Sequence, residues 1–138
     1  MGNHPLMTSK AGEYIGEALL SNPGYKIENL NFQSVNFGQL GLQKLCEGSN
    51  VCESLISLHV GIVNNEGLHI LAEYLKDNKN LKTLGICFPP TEEPWKEDGK
   101  KAFANLIKKN NHIEEVKFGG GIWQQEYLEY FEEINFYC

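Results

Sequence analysis

Residues 55–86 read LISLHVGIVNNEGLHILAEYLKDNKNLKTLGI, and the placing of the apolar residues in this stretch decides the fold. Counted from Gly67, the residues Leu71, Ala72, Leu75, Asn78, Leu81, Leu84 and Ile86 stand at offsets 4, 5, 8, 11, 14, 17 and 19. The first three are spaced as one face of an amphipathic helix. The last two alternate about Gly85, which is the period of a short strand. Within about 26 residues the chain therefore switches from helical to extended periodicity.

The same offsets recur. From Gly99 they reach Phe103, Ala104, Ile107, Asn110, Ile113, Val116 and Phe118, so every apolar slot stays apolar and Asn matches Asn. From Gly41 they reach Leu45, Cys46, Ser49, Cys52, Leu55, Leu58 and Val60, with two slots around EGSNVC degraded. From Ala11 they reach Ile15, Gly16, Leu19 and Asn22, after which two inserted residues around Pro23 and Gly24 bring Ile27, Leu30 and Phe32 into register. The starts near 11, 41, 67 and 99 are 30, 26 and 32 residues apart. A helix-strand unit of this size cannot bury its apolar face alone, so the units are predicted to stack with strands parallel on one side and helices on the other. The prediction is one α/β domain over residues 1–138, built from about four such units. The small residue at the second slot (Gly16, Cys46, Ala72, Ala104) is expected to let each helix approach the sheet closely.

The 55–86 stretch, together with GKKAFANLIKKNNHIEEVKF at 99–118, resembles leucine-rich repeats of the ribonuclease-inhibitor type. That unit carries an L-x-x-L-x-L strand and a G-x-x-x-L-A-x-x-L helix, and the resemblance runs from about residue 11 to 121. It implies a short solenoid with the sheet on its concave side. Similar arrays form the sensing or docking parts of cytoplasmic immune receptors, GTPase regulators, actin-capping proteins and bacterial effectors, so the resemblance implies protein binding without choosing a partner. The family usually places Asn or Cys three residues after the last apolar strand residue, and here that slot holds Val35, Val63, Pro89 and Gly121. Irregular turns are expected at that edge. The tail IWQQEYLEYFEEINFYC, residues 122–138, sets Tyr127, Leu128, Phe131 and Ile134 on one helical face and reads as a terminal cap over the last unit.

Composition narrows the function. With 41% hydrophobic and 22% charged residues the chain has ordinary globular usage, and a net charge of -6 argues against a nucleic-acid or anionic-membrane surface. No apolar run is long enough to span a bilayer, and the start MGNHPLMTSK lacks the pattern of a signal peptide, so a cytoplasmic protein is expected. Leu6 stands where a myristoylation motif after Gly2 wants Ser or Thr. Cys46, Cys52, Cys87 and Cys138 form no C-x-x-C pair and no zinc-like grouping with the histidines at 4, 59, 69 and 112, so reduced thiols are expected, with no metal and no cofactor. Glu92, Glu93, Glu97 and Asp98 lack the alternating spacing of a calcium loop. FGGG at 118–121 is not followed by the Lys and Ser/Thr of a phosphate cradle.

The strand slots between the buried positions define a candidate binding face. They form three columns: Asn29, Ser57, Thr83, Glu115; then Asn31, His59, Gly85, Lys117; then Gln33, Gly61, Cys87, Gly119. From these, Asn29, Asn31, Ser57, His59, Thr83, Cys87, Glu115 and Lys117 are the predicted partner-facing residues. The connection GICFPPTEEPWKEDG at 85–99 is six residues longer than its counterpart in the preceding unit and adds Phe88 and Trp95 to that set. Trp95 either presents its ring to a partner or folds back over the gap at Pro89. Lys100, Lys101, Lys108 and Lys109 are placed on the outer face of the fourth helix, as a solvated surface or a basic docking patch.

The leading expectation is a non-enzymatic, monomeric protein-interaction module that binds a protein partner through the concave face and the 87–98 insertion. One alternative is a small enzyme in which Cys87 and His59, on neighbouring strands, form a thiolate-imidazole pair. Another is a structural or self-associating repeat segment of a larger receptor or effector.

Overall fold

The computed structural model describes residues 5–22, 24–33, 35–87, 95–110 and 112–119, with side chains from Lys10 onward. Helices and strands alternate: α1 (Pro5–Ser21), β1 (Asn29–Asn31), α2 (Gly38–Val51), β2 (Ser57–Ile62), α3 (Asn65–Tyr74), β3 (Thr83–Cys87), α4 (Glu97–Lys109) and β4 (Glu115–Gly119). The four strands form one parallel sheet in the order β1-β2-β3-β4. The α/β class, the alternation and the parallel pairing are those predicted from the offsets. Three helices begin two or three residues before their marker glycine, and α1 begins at Pro5 rather than near Ala11. Proline suits a first helical position, where its missing N–H has no partner to lose. Phe88 and the predicted cap at 122–138 lie outside the described residues.

The core sits between sheet and helices. Leu58, Val60, Leu84 and Ile86 point from the strands into a cluster with Leu45, Leu68, Leu71, Leu75 and Phe103 from the helices, all fully buried. Each such side chain contributes about 1.5–3 kcal/mol relative to exposure. The helices lie side by side, each against the next in sequence.

Glycine sets the closest of these approaches. A Cβ on Gly16 would overlap the Lys44 carbonyl of α2, and one on Gly48 would come within 2.6 Å of the Gly16 oxygen. The expectation that Gly16 serves helix-to-sheet packing is therefore corrected. Its missing side chain lets α1 and α2 meet backbone to backbone.

The two edges of the sheet are joined differently. At the edge where helices run into strands, the Asn slot of the repeat holds the turns. Asn78 accepts from the backbone of Asn80 and Leu81 and donates to Asn50, which in turn donates to the Tyr74 carbonyl at the end of α3. Asn22 and Asn110 each donate to the carbonyl four residues back, closing the ends of α1 and α4. Cys52 fills this slot in the degraded unit, fully buried, with Ser54 donating to the Tyr25 and Ile27 carbonyls beside it.

At the opposite edge, where strands run into helices, the backbone is irregular as expected. A bulge interrupts β2 between His59 and Ile62, with Gly61 at φ +85° and its Cα packed so close to the Val35 carbonyl that a side chain would overlap it. The bulge corrects the third column, because Ile62 rather than Gly61 pairs with Cys87. Asn64 caps α3 through a bond from the Gly67 N–H of 2.8 Å.

Candidate functional site: the polar face of the sheet

The first two columns hold residue by residue. Asn29 pairs with Ser57, Ser57 with Thr83 and Thr83 with Glu115; Asn31 pairs with His59, His59 with Gly85 and Gly85 with Lys117. Their apolar neighbours Leu58 and Leu84 are fully buried on the other face, so strand alternation sends the polar set outward. The result is a polar depression of about 210 Å³ bounded by Asn29, Asn31, Ser57, Thr83 and Lys117 and floored at His59 and Gly85. Among the described residues no element lies over this face. Parallel sheets are usually covered on both faces, so an open one is a feature to explain.

Gly85 is what seats the histidine. A Cβ there would overlap the imidazole of His59, so the ring lies across the bare backbone of β3. The Gly61 N–H donates to His59 Nδ1 at 3.2 Å, which makes Nδ1 the acceptor and leaves the proton of the neutral ring on Nε2. Burial and, second to it, the ammonium of Lys117 hold the His59 pKa below its ordinary value.

Cys87 lies 3.9 Å from His59 Nε2, so the sheet does bring the predicted pair together. Its chemistry is that of a resting thiol. The Cys87 S–H donates to the Gln33 carbonyl at 2.8 Å, and burial raises its pKa. The nitrogen facing the sulfur carries the ring proton and cannot accept one, so the arrangement favours the thiol with a neutral imidazole. With 8% exposure, Cys87 is also withdrawn from the partner-facing set. Cys46 is fully buried, and its pKa is raised by that burial first and by Glu47 second, in keeping with its reading as a core residue.

Trp95 is likewise corrected as a partner contact. It is 3% exposed, and its indole N–H donates to the Val63 carbonyl at 2.7 Å. Val63 is one of the slots that lack the expected Asn or Cys, and the tryptophan supplies a donor there from the following unit. Trp95 is thus turned inward against Val63 rather than presented, while the gap at Pro89, over which it was expected to fold, lies outside the described residues.

Beside it lies a polar cluster that the sequence reading missed. Asn65 accepts from the Lys96 N–H at 2.8 Å and donates to Asp98, whose carboxylate sits 2.6 Å from His69 Nε2. The hydrogen bond from His69 is the main cause of a lowered Asp98 pKa. This cluster ties the start of α4 to α3. Its members are 33 residues apart in sequence at most, and no spacing rule pairs a histidine on one helix with an aspartate on the next.

Lys101, Lys108 and Lys109 are exposed on α4 as predicted, whereas the side chain of Lys100 is only 13% exposed and lies 3.8 Å from Glu97. Among the described residues no three His, Cys, Asp or Glu side chains converge as metal ligands, and no helix is long and apolar enough to cross a membrane. No family model matches the chain, and no curated protein is significantly similar to it.

Proposed function

We propose that the protein is a non-enzymatic interaction module, a short solenoid of leucine-rich-repeat type, and that Asn29, Asn31, Ser57, Thr83, His59, Glu115 and Lys117 contact a protein partner. The observation that carries this reading is the polar face of the parallel sheet, over which no element lies among the described residues. Two supports are the repeat offsets and the in-order strand pairing, which a stack of equivalent units requires. The face offers neutral donors and acceptors with one carboxylate and one ammonium. Such chemistry suits an extended or loop segment recognised through hydrogen bonds rather than a highly charged ligand.

A photo-crosslinking side chain at Thr83, compared with one at Glu17 on the exposed side of α1, tests the reading in extracts of the source cells. A discrete adduct from position 83 alone is expected. No adduct from 83, or the same adducts from both positions, would sink it.

The Cys-His reading is favoured by the 3.9 Å approach and opposed by the hydrogen-bond directions around it. Alkylation of Cys87 should rise only above the usual thiol range, and a reactive plateau below about pH 7 would restore the enzyme hypothesis.

A further inference from the structure

A second surface lies on the opposite side of the molecule, between α3 and α4. A groove of about 470 Å³ runs there, floored by Ala72, Ala102 and Leu106 and rimmed by Lys76, Lys108 and Lys109. Small side chains on the facing turns open the trough, and the long lysines stand around it. Lys76 is 3.2 Å from Glu73, while Lys108 and Lys109 enter no ion pair among the described residues.

Lysines in the last turn of a helix favourably oppose its dipole, which is a sufficient reason for Lys108 and Lys109 to be there. It does not account for the groove. Nor does it account for the third lysine, Lys76, which lies past the end of α3 and lines the same groove. An apolar floor under a cationic rim complements a ligand with apolar centre and anionic margins.

The edge on which these lysines stand decides between anions. Lys108 and Lys109 occupy the C-terminal turn of α4, and Lys76 follows the end of α3, where the backbone presents carbonyl oxygens and partial negative charge. A compact phosphate is best held where backbone N–H groups point at it, at helix N-termini. Carboxylates reaching flexible lysines from the flanks of an apolar stripe need no such donors.

We propose that this groove docks an acidic amphipathic helix of a partner protein. Its apolar residues rest on Ala72, Ala102 and Leu106, and its carboxylates meet Lys76, Lys108 and Lys109. The surface is independent of the polar sheet face.

The test uses the full chain and a fluorescent helical peptide of about 16 residues, with Leu at i, i+3, i+4 and i+7 and Glu along both flanks. Binding is expected, weakened as ionic strength rises from about 0.05 to about 0.5 M. The exposed double change Lys108→Glu/Lys109→Glu should weaken it by about tenfold or more through lost attraction and new repulsion. Ala102→Leu, which fills the trough, should weaken it with the circular dichroism spectrum unchanged. The proposal is overturned by any of three results: no binding of the Leu-Glu peptide, indifference to the double change, or equal affinity for a Ser-Glu peptide or polyphosphate. The last would reduce the groove to an unselective cationic patch.

Discussion

Replacing Trp95 with alanine tests whether the inserted connection is anchored as described. A buried indole removes on the order of 150–250 Å² from water, and at ~25 cal/mol per Å² its loss costs about 4–6 kcal/mol. Core Trp→Ala changes fall at about 3–5 kcal/mol, with the lower values where the site can collapse. The change also takes from the Val63 carbonyl the 2.7 Å donor that it now has. We expect a loss of about 4 kcal/mol for Trp95→Ala. Trp95→Phe keeps much of the apolar area while deleting the donor and leaving a smaller void, so it should cost about 1–2 kcal/mol.

Urea denaturation followed by far-ultraviolet circular dichroism measures both without relying on the removed fluorophore. With a slope of about 2 kcal/mol per M, the midpoint should fall by about 2 M for alanine and by less than about 1 M for phenylalanine. Because a domain is stable by only about 5–15 kcal/mol, the alanine variant can lie at the edge of folding, and the phenylalanine variant then carries the comparison. In a Trp123→Phe background the remaining indole should resist collisional quenching. An alanine variant within about 1 kcal/mol of wild type, or a freely quenched Trp95, would refute the anchoring argument.

Other changes read other contacts. Gly16→Ala forces a methyl group into the Lys44 carbonyl and should cost about 2–4 kcal/mol in thermal or urea denaturation, whereas Gly24→Ala, with nothing within 4 Å, should stay within about 1 kcal/mol. Asn78→Ala strands the N–H groups of Asn80 and Leu81 and the amide of Asn50, so a loss of about 2–3 kcal/mol is expected, against about 1 kcal/mol for Asn110→Ala. His59 has a lowered pKa in the folded chain, so between that value and the ordinary 6.5 the unfolded chain binds more protons. Stability should therefore fall as pH drops below about 6.5, and His59→Asn should flatten that part of the pH profile relative to wild type. An unchanged profile would show that the ring is not desolvated.

Much of this was readable from the sequence because two periods act together. The repeat offset aligns Leu58 with Leu84 and Val116, and strand alternation then fixes which neighbours face outward, so columns one and two were predicted with their partners. The third column failed at Gly61. A glycine inside a strand pattern signals a bulge, but the sequence does not say that the extra residue advances the register so that Ile62 meets Cys87. Gly16 was visible as a small residue in the second slot, yet spacing alone does not tell a sheet-facing glycine from one facing a neighbouring backbone. The fate of Trp95 depended on an uncapped carbonyl 32 residues away, and that distance in sequence carries no pattern. The tautomer of His59 depended on one amide hydrogen, Gly61 N–H, which the bulge aims at the ring.

The in-order arrangement of helices and strands has a kinetic consequence. Each helix leans on the next helix and each strand pairs with the next strand, so paired strand residues stand some 25–35 positions apart rather than at opposite ends of the chain. Order can then spread outward from any adjacent pair of units without first closing a long loop. The middle pair, from α2 to β3, has neighbours on both sides, whereas α1 with its three-residue β1 has one. Amide hydrogens of β2 and β3 should exchange slowest and those of β1 fastest, in a graded series along the sheet rather than a single protected block.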